Sequence, residues 1–221
     1  MSFLLGIIYL SFISLGLPDS LLGAAWPNIY PEFQVPVSYA GAVSMIIALG
    51  TIISSLQSDR FTKKYGTGLV TAISVGITTF ALWGFSVSHS FIQLCLWAIP
   101  YGLGAGSVDA SLNNYVALHY ASKHMSWLHC MWGVGTTLGP YIMGTVLTRG
   151  STWNTGYCVI SLLQLLLTAA LIFSLPQWKC QTADTIRISR GNSLSLNEIL
   201  SIPGAKAIML CFFCYSALEQ T

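Results

Sequence analysis

One apolar run constrains this chain more than any other stretch, because it is long enough to cross a bilayer and yet carries polar groups near its middle. The run extends from Phe91 to Leu118 and contains Asp109, Asn113 and Asn114. A carboxylate at the centre of a membrane helix costs about 2.5–3.5 kcal/mol on insertion scales, so such groups face a protein interior or a wet cavity. Asp109 and Asn113 are one helical turn apart and share a face. The sequence predicts that this helix is one wall of a polar cavity inside a membrane bundle.

Composition supports an integral membrane protein. Of the 221 residues, 54% are hydrophobic and 7% are charged, whereas soluble domains carry about 25% charged residues. No basic segment precedes the first apolar run, and Asp19 interrupts the region where a signal peptidase site would follow. The first run is therefore predicted to remain as a spanning helix of an all-α membrane protein.

About 20 apolar residues cross the hydrocarbon core, and this length predicts six spans and the start of a seventh. The six spans run at about 3–26, 37–58, 67–87, 91–118, 126–148 and 153–175. The predicted organisation is a six-helix bundle over 1–176, a cytoplasmic linker over 177–202 and a seventh helix beginning at 203. Within the linker, Ser195 and Glu198 fit a capping box that starts a short helix.

Small residues and prolines indicate how the spans pack. Gly102 and Gly106 form a small-xxx-small pair, which lets a neighbouring helix approach closely. Pro18 lies inside the first span, and we expect a neighbouring helix to satisfy the carbonyl that it frees.

The basic residues predict the orientation of the bundle. Assigning odd-numbered spans to run outward places eight of the nine Lys and Arg residues on one side and only Arg149 on the other. The eight are Arg60, Lys63, Lys64, Lys123, Lys179, Arg187, Arg190 and Lys206. By the positive-inside rule, the N-terminus is predicted to be cytoplasmic, in a multi-pass protein of the cell membrane.

The chain also contains a weak internal repeat. Asp19-Ser-Leu in the first span and Asp109-Ala-Ser-Leu in the fourth are 90 residues apart, since 109 − 19 = 90, and the same offset relates the ends of the second and fifth spans at Arg60 and Arg149. Repeats of three helices must be inverted in the membrane, so a 3+3 inverted arrangement is predicted.

Three stretches carry a family resemblance: GLPDSLLGAAWP at 16–27, DASLNNY at 109–115 and LHCMWGVGTTLGP at 128–140. Together they resemble the major facilitator superfamily, and within it the fucose permease-like sugar:proton symporters. The resemblance covers essentially all of the chain but only about half of such a transporter, so a C-terminal bundle is expected in the full-length protein. The family's loop motif, Gly-x-x-x-Asp-Arg-x-Gly with following basic residues, is matched by Asp59, Arg60, Lys63 and Lys64, while Ser55 and Thr62 replace its glycines.

The resemblance implies roles for two acids. In fucose permease-like transporters, acids on the first and fourth helices take part in substrate handling and proton coupling; the matching residues are Asp19 and Asp109. The fourth-helix acid is Glu in the fucose permease and Asp in this sequence. A poorly hydrated cavity favours the neutral form of a carboxylic acid, which suits a group that must take up and release protons.

Polar and aromatic neighbours supply the predicted contacts to a solute. Asn113, Asn114, His129 and Trp132 are the candidate substrate-binding residues besides Asp19, because sugar hydroxyls need donors, acceptors and a stacking surface. Each also has a purely structural interpretation: Asp109 as an acid paired with a neighbouring helix, His129 as a packed histidine, and Trp132 as a packing residue.

The function predicted from these features is proton-coupled symport of a sugar or similar small polar solute by alternating access. The alternatives are an exporter of drugs or metabolites with the same fold, and a non-transporting membrane fragment. No HExxH, GxSxG or phosphate-cradling glycine loop is present, so neither an enzyme nor ATP-driven transport is expected. We expect no cofactor, no metal and no nucleic-acid partner; protons, the solute and the lipid bilayer are the expected partners.

Overall fold

The computed structural model describes residues 3–185 and 201–219, and these residues form eight α-helices. They are α1 (Phe3–Asp19), α2 (Leu21–Glu32), α3 (Tyr39–Tyr65), α4 (Thr67–Ser86), α5 (Phe91–His119), α6 (Ser122–Thr148), α7 (Trp153–Thr185) and α8 (Ala205–Glu219). The chain divides after Thr182 into two compact units. The first holds α1–α6 and most of α7, and α8 belongs to the second. The predicted all-α class is confirmed for the described residues.

The first predicted span is broken. We expected the first helix to end near residue 26, but α1 ends at Asp19, Ser20 separates it from α2, and α2 continues to Glu32. Pro27 and Pro31 lie inside α2, so the helix continues through both prolines. Together α1 and α2 form one membrane span of 30 residues.

Neighbouring helices satisfy the carbonyls that two prolines free. Pro18 has no N–H for the carbonyl of Ser14, and that oxygen instead accepts a hydrogen bond from Nε2 of Gln164 on α7 at 2.7 Å. Pro140 likewise frees the carbonyl of Thr136, which accepts a hydrogen bond from Ser20 Oγ at 2.7 Å. The expectation for Pro18 is confirmed.

Glycines bring two helix pairs into close contact. A Cβ atom added at Gly102 or Gly106 would meet the backbone carbonyls of Ile47 or Thr51 on α3, which confirms the predicted close approach. A Cβ at Gly135 on α6 would likewise meet the carbonyl of Ile13 on α1. The predicted 90-residue repeat relates α1 to α5 and α6 to α3, so both close contacts join equivalent pairs of helices.

Five of the helical segments are long and apolar enough to cross a membrane: Phe3–Glu32, Tyr39–Tyr65, Thr67–Ser86, Phe91–His119 and Trp153–Trp178. The α6 helix is also long enough, at 27 residues, but its Ser, Thr, His and Gly content lowers its mean hydropathy. The fold is that of an N-terminal helical bundle of the predicted type.

The end of the bundle differs in detail from the sequence-based boundaries. The α7 helix continues to Thr185, inside the range predicted as linker, and α8 begins at Ala205, two residues after the predicted start. The predicted capping box at Ser195 lies outside the described residues. The division into bundle, linker and second bundle remains a prediction.

Candidate functional site

Asp19 lies where α1 ends, and side chains from two other helices hold its carboxylate. Oδ1 accepts a hydrogen bond from Tyr101 Oη on α5 at 2.8 Å. Oδ2 accepts one from Trp132 Nε1 on α6 at 2.9 Å. A carboxylate has about four lone-pair positions, so each oxygen of Asp19 can accept a further donor. Its position depends jointly on α1, α5 and α6.

Asp109 is paired along its own helix. Asn113 Nδ2 donates to Asp109 Oδ1 at 2.9 Å, and this contact confirms the prediction that the two residues share a face. The other amide atom, Asn113 Oδ1, is buried and accepts no hydrogen bond from the described residues. Asp109 is half-buried, and its second oxygen remains open to another donor.

The remaining candidates have different surroundings. Trp132 is half-buried and contacts Asp19 directly. His129 is exposed, meets the Phe12 ring edge-on with ring centroids 6.1 Å apart, and lies within electrostatic range of Asp109. Asn114 is exposed and lies about 100° around α5 from Asn113, so the structure does not join it to the acids.

Hydrogen bonds join Trp132 to Asp19 and Asn113 to Asp109, and we call the surface that carries these residues the acidic face: Asp19, Asp109, Asn113, His129 and Trp132. The charges of Asp19 and Asp109 are also close enough to interact with each other. Within residues 3–178, neither acid forms a salt bridge with Lys or Arg. A polar surface at mid-span is unstable against hydrocarbon, so the acidic face must border water or more protein.

Two buried polar residues support this arrangement and were not identified from the sequence. Tyr101 is 3% exposed and donates to Asp19. Gln164 is 2% exposed; its Oε1 accepts from Thr78 Oγ1 at 2.8 Å, and its amide nitrogen donates to α1. The only sequence signal for either is a hydrogen-bonding side chain inside an apolar span, which needs a partner when buried.

The residues of the loop motif lie on the last two turns of α3 and not in a loop. Asp59 forms a salt bridge with Lys63 at 2.7 Å, and Gly66, with φ of 84°, makes the one-residue turn into α4. Ser55 replaces the motif's first glycine, and its Oγ donates to the carbonyl of Gly106 at 3.1 Å. The serine therefore adds a hydrogen bond to the close α3–α5 contact.

Fold and site together define a helical, multi-pass membrane protein with a carboxylate-bearing face inside the span. The chain belongs to the major facilitator superfamily, whose family profile matches residues 8–220. This membership places it among transport proteins and not among enzymes.

Curated relatives of the chain are named as transporters. It is 21% identical over 167 residues to the glucose/mannose transporter GlcP of Bacillus subtilis, covering 75% of this chain and 42% of the relative. It is 21% identical over 209 residues to the hexuronate transporter of the same organism, covering 90% and 49%. It is 25% identical over 178 residues to the cis,cis-muconate transport protein of Acinetobacter baylyi, covering 76% and 41%. The chain thus spans less than half the length of these relatives.

Proposed function

We propose that this chain is the N-terminal half of a proton-coupled symporter for a sugar or similar small neutral solute, of the fucose permease-like kind. The observation that carries the proposal is the acidic face, with two carboxylates from different helices inside the span and hydrogen-bonding partners for each. Carboxylates there are costly, and neither is neutralised by a Lys or Arg of the described bundle. Within this bundle, protonation is the way in which they can be neutralised, which suits a group that carries a proton.

The two acids differ in their hydrogen bonds, and this difference suggests a division of roles. Asp19 has two donors from neighbouring helices, which fix the direction of its free lone pairs towards a solute hydroxyl. Asp109 has one donor from its own helix and His129 within electrostatic range. With fewer bonds to its charged form, Asp109 is the better group for taking up and releasing a proton.

The charge of the site bears on the solute class. Two acids without an adjacent Lys or Arg repel an anion but accept hydrogen bonds from a neutral polyol. The indole of Trp132 beside Asp19 offers an apolar surface next to an acceptor, which suits the ring of a sugar. These features favour a neutral sugar, as in the name of the glucose/mannose transporter, over a carboxylic acid. The other two relatives are named for the acids hexuronate and cis,cis-muconate.

Transport by the full-length protein in proteoliposomes tests the proposal. With an imposed inward proton gradient, wild-type protein should accumulate glucose or another neutral hexose above the external concentration. Asp109→Asn should abolish accumulation but retain exchange of internal for external hexose, because exchange needs no net proton movement. The control is Glu32→Gln, which changes an acid outside the acidic face and keeps an acceptor for Trp153 Nε1.

Two outcomes would contradict the proposal. Uphill hexose uptake that is undiminished in Asp109→Asn would remove the coupling role of that residue. Proton-driven efflux of the solute from vesicles with wild-type protein would contradict symport into the vesicle. If excess sugar also failed to inhibit solute uptake, the protein would be an exporter of the same fold.

A further inference from the structure

A groove on the lateral surface of the bundle lies away from the acidic face. It runs between α3 and α4, with α5 as its floor, and has a volume of about 340 Å³. That volume lies within the range of about 300–1,000 Å³ for small-molecule sites. Its lining is mainly apolar and includes Ile53, Phe61, Ile73, Ile77 and Leu103. The groove therefore suits a hydrocarbon ligand.

The dimensions of the groove match one leaflet of a bilayer. On α3 it extends from Ile53 to Tyr65, a rise of about 18 Å at 1.5 Å per residue. Half of a hydrocarbon core of about 30 Å is about 15 Å. The length of the groove therefore suits an acyl chain that lies along one leaflet.

Positive charge collects at the end of the groove formed by the last turns of α3. Lys63 is held by Asp59, whereas Lys64 Nζ lies 5.1 Å from the centroid of the Tyr65 ring, and Arg60 is one residue from Phe61. Tyr65 lines both the groove and a second cavity of about 380 Å³, whose wall includes Pro176 and Trp178. The groove and the second cavity therefore share Tyr65, at the end where Lys64 lies.

We propose that this groove binds an anionic glycerophospholipid, with one acyl chain along α3 and α4 and the phosphate near Arg60 and Lys64. The apolar lining accounts for the chain, and the basic end is complementary to the negative headgroup. Basic residues at a membrane surface attract anionic lipid by about five-fold in affinity for each charge. The proposal does not depend on which solute the protein carries.

Photocrosslinking of the full-length protein in vesicles tests the site. The vesicles contain equal amounts of phosphatidylglycerol and phosphatidylcholine, and one lipid at a time carries a diazirine acyl chain; labelled peptides are mapped by mass spectrometry. We expect phosphatidylglycerol to label groove peptides at least five-fold more than phosphatidylcholine. Arg60→Gln with Lys64→Gln should lower phosphatidylglycerol labelling by about five-fold per charge. Ile73→Trp, which fills the groove, should remove labelling by both lipids.

Matched controls separate lipid binding from damage to the fold. Lys123→Gln removes an exposed lysine on α6, and Leu49→Trp adds an indole to an exposed position of α3 outside the groove; both should label as wild type does. Equal labelling by the two lipids in wild-type protein would overturn the proposal. Unlabelled groove peptides in vesicles where other lateral surfaces are labelled would also overturn it, and would indicate that the second bundle covers this surface.

Discussion

At the scale of single residues, the bundle depends on a few buried hydrogen bonds that cross between helices. The sequence predicted the bond from Asn113 to Asp109, because both partners lie on one helix at a spacing that fixes their separation. It did not predict the bonds from Tyr101 to Asp19 or from Gln164 to Ser14, because those partners are 82 and 150 residues apart. Only the packing of the helices brings them together.

The bond from Gln164 to the carbonyl of Ser14 should have a measurable effect on stability. Gln164→Leu leaves that carbonyl unpaired in the core, and we expect it to lower the free energy of unfolding by about 1–3 kcal/mol. In the Pro18→Ala background, the N–H of residue 18 can donate to the carbonyl of Ser14. Gln164→Leu should therefore lower the free energy of unfolding by less in that background than in the wild type. Unfolding of the four proteins in detergent gives the coupling energy.

Gln57→Leu, at an exposed position of α3, is the control and should change stability by less than about 0.5 kcal/mol. Equal losses from Gln164→Leu with and without Pro18 would show that the amide does not replace the missing helical hydrogen bond.

Tyr101 should matter for solute affinity as well as for stability. Tyr101→Phe removes one of the two donors that orient Asp19. We expect KM for hexose exchange to rise several-fold, because the carboxylate that meets the solute is less firmly positioned. Tyr157→Phe alters another buried tyrosine, stacked on Phe85 at 5.3 Å, and should leave KM unchanged. A similar rise in both variants would assign the effect to the aromatic packing.

At the scale of elements, glycines form close contacts in the two pairs of helices that the predicted repeat relates. The small-xxx-small spacing of Gly102 and Gly106 allowed a close neighbour to be predicted but not identified, since spacing on one helix carries no information about its partner. The structure identifies α3 for this pair and α1 for the glycines of α6. The break at Ser20 was missed, because a hydropathy window does not detect a single non-helical residue.

Neighbouring glycines on α6 provide a matched test of the α1–α6 contact. Gly135→Ala places a methyl group against the carbonyl of Ile13. A methyl group added at Gly133 would instead lie in open space. We expect Gly135→Ala to destabilise the protein by about 1–3 kcal/mol. Gly133→Ala should be neutral or stabilising by up to about 1 kcal/mol, through helix propensity. Equal thermal unfolding of the two variants would argue against a tight α1–α6 interface.

At the scale of the whole molecule, composition and hydropathy were sufficient to predict the helical bundle, because both follow from the solvent that a membrane protein meets. The acids of the candidate site were also apparent, since a carboxylate inside an apolar run is conspicuous. Their surroundings were not apparent, because Trp132 and Tyr101 have the residue types that pack in any core. The orientation in the membrane stays a prediction from the basic residues.

Cysteine labelling tests that orientation. In a full-length protein whose native cysteines are replaced, we expect Arg149→Cys to react with a membrane-impermeant maleimide on intact cells. Lys123→Cys should react only after the membrane is permeabilised, because it is predicted to be cytoplasmic. The opposite pattern would place the N-terminus outside.

The hydroxyl of Ser20 and the amide of Gln164 have a mechanical consequence. Each replaces a helical hydrogen bond that a proline cannot make, so a shift of α1 along α6 or α7 by one residue would leave a carbonyl unpaired away from water. These bonds therefore oppose sliding of α1 along α6 or α7. A rotation of the three helices as a unit keeps both hydrogen bonds. In an alternating-access cycle, α1, α6 and α7 should therefore rotate together as one rigid body. Asp19 lies next to the hydrogen bonds that join these helices.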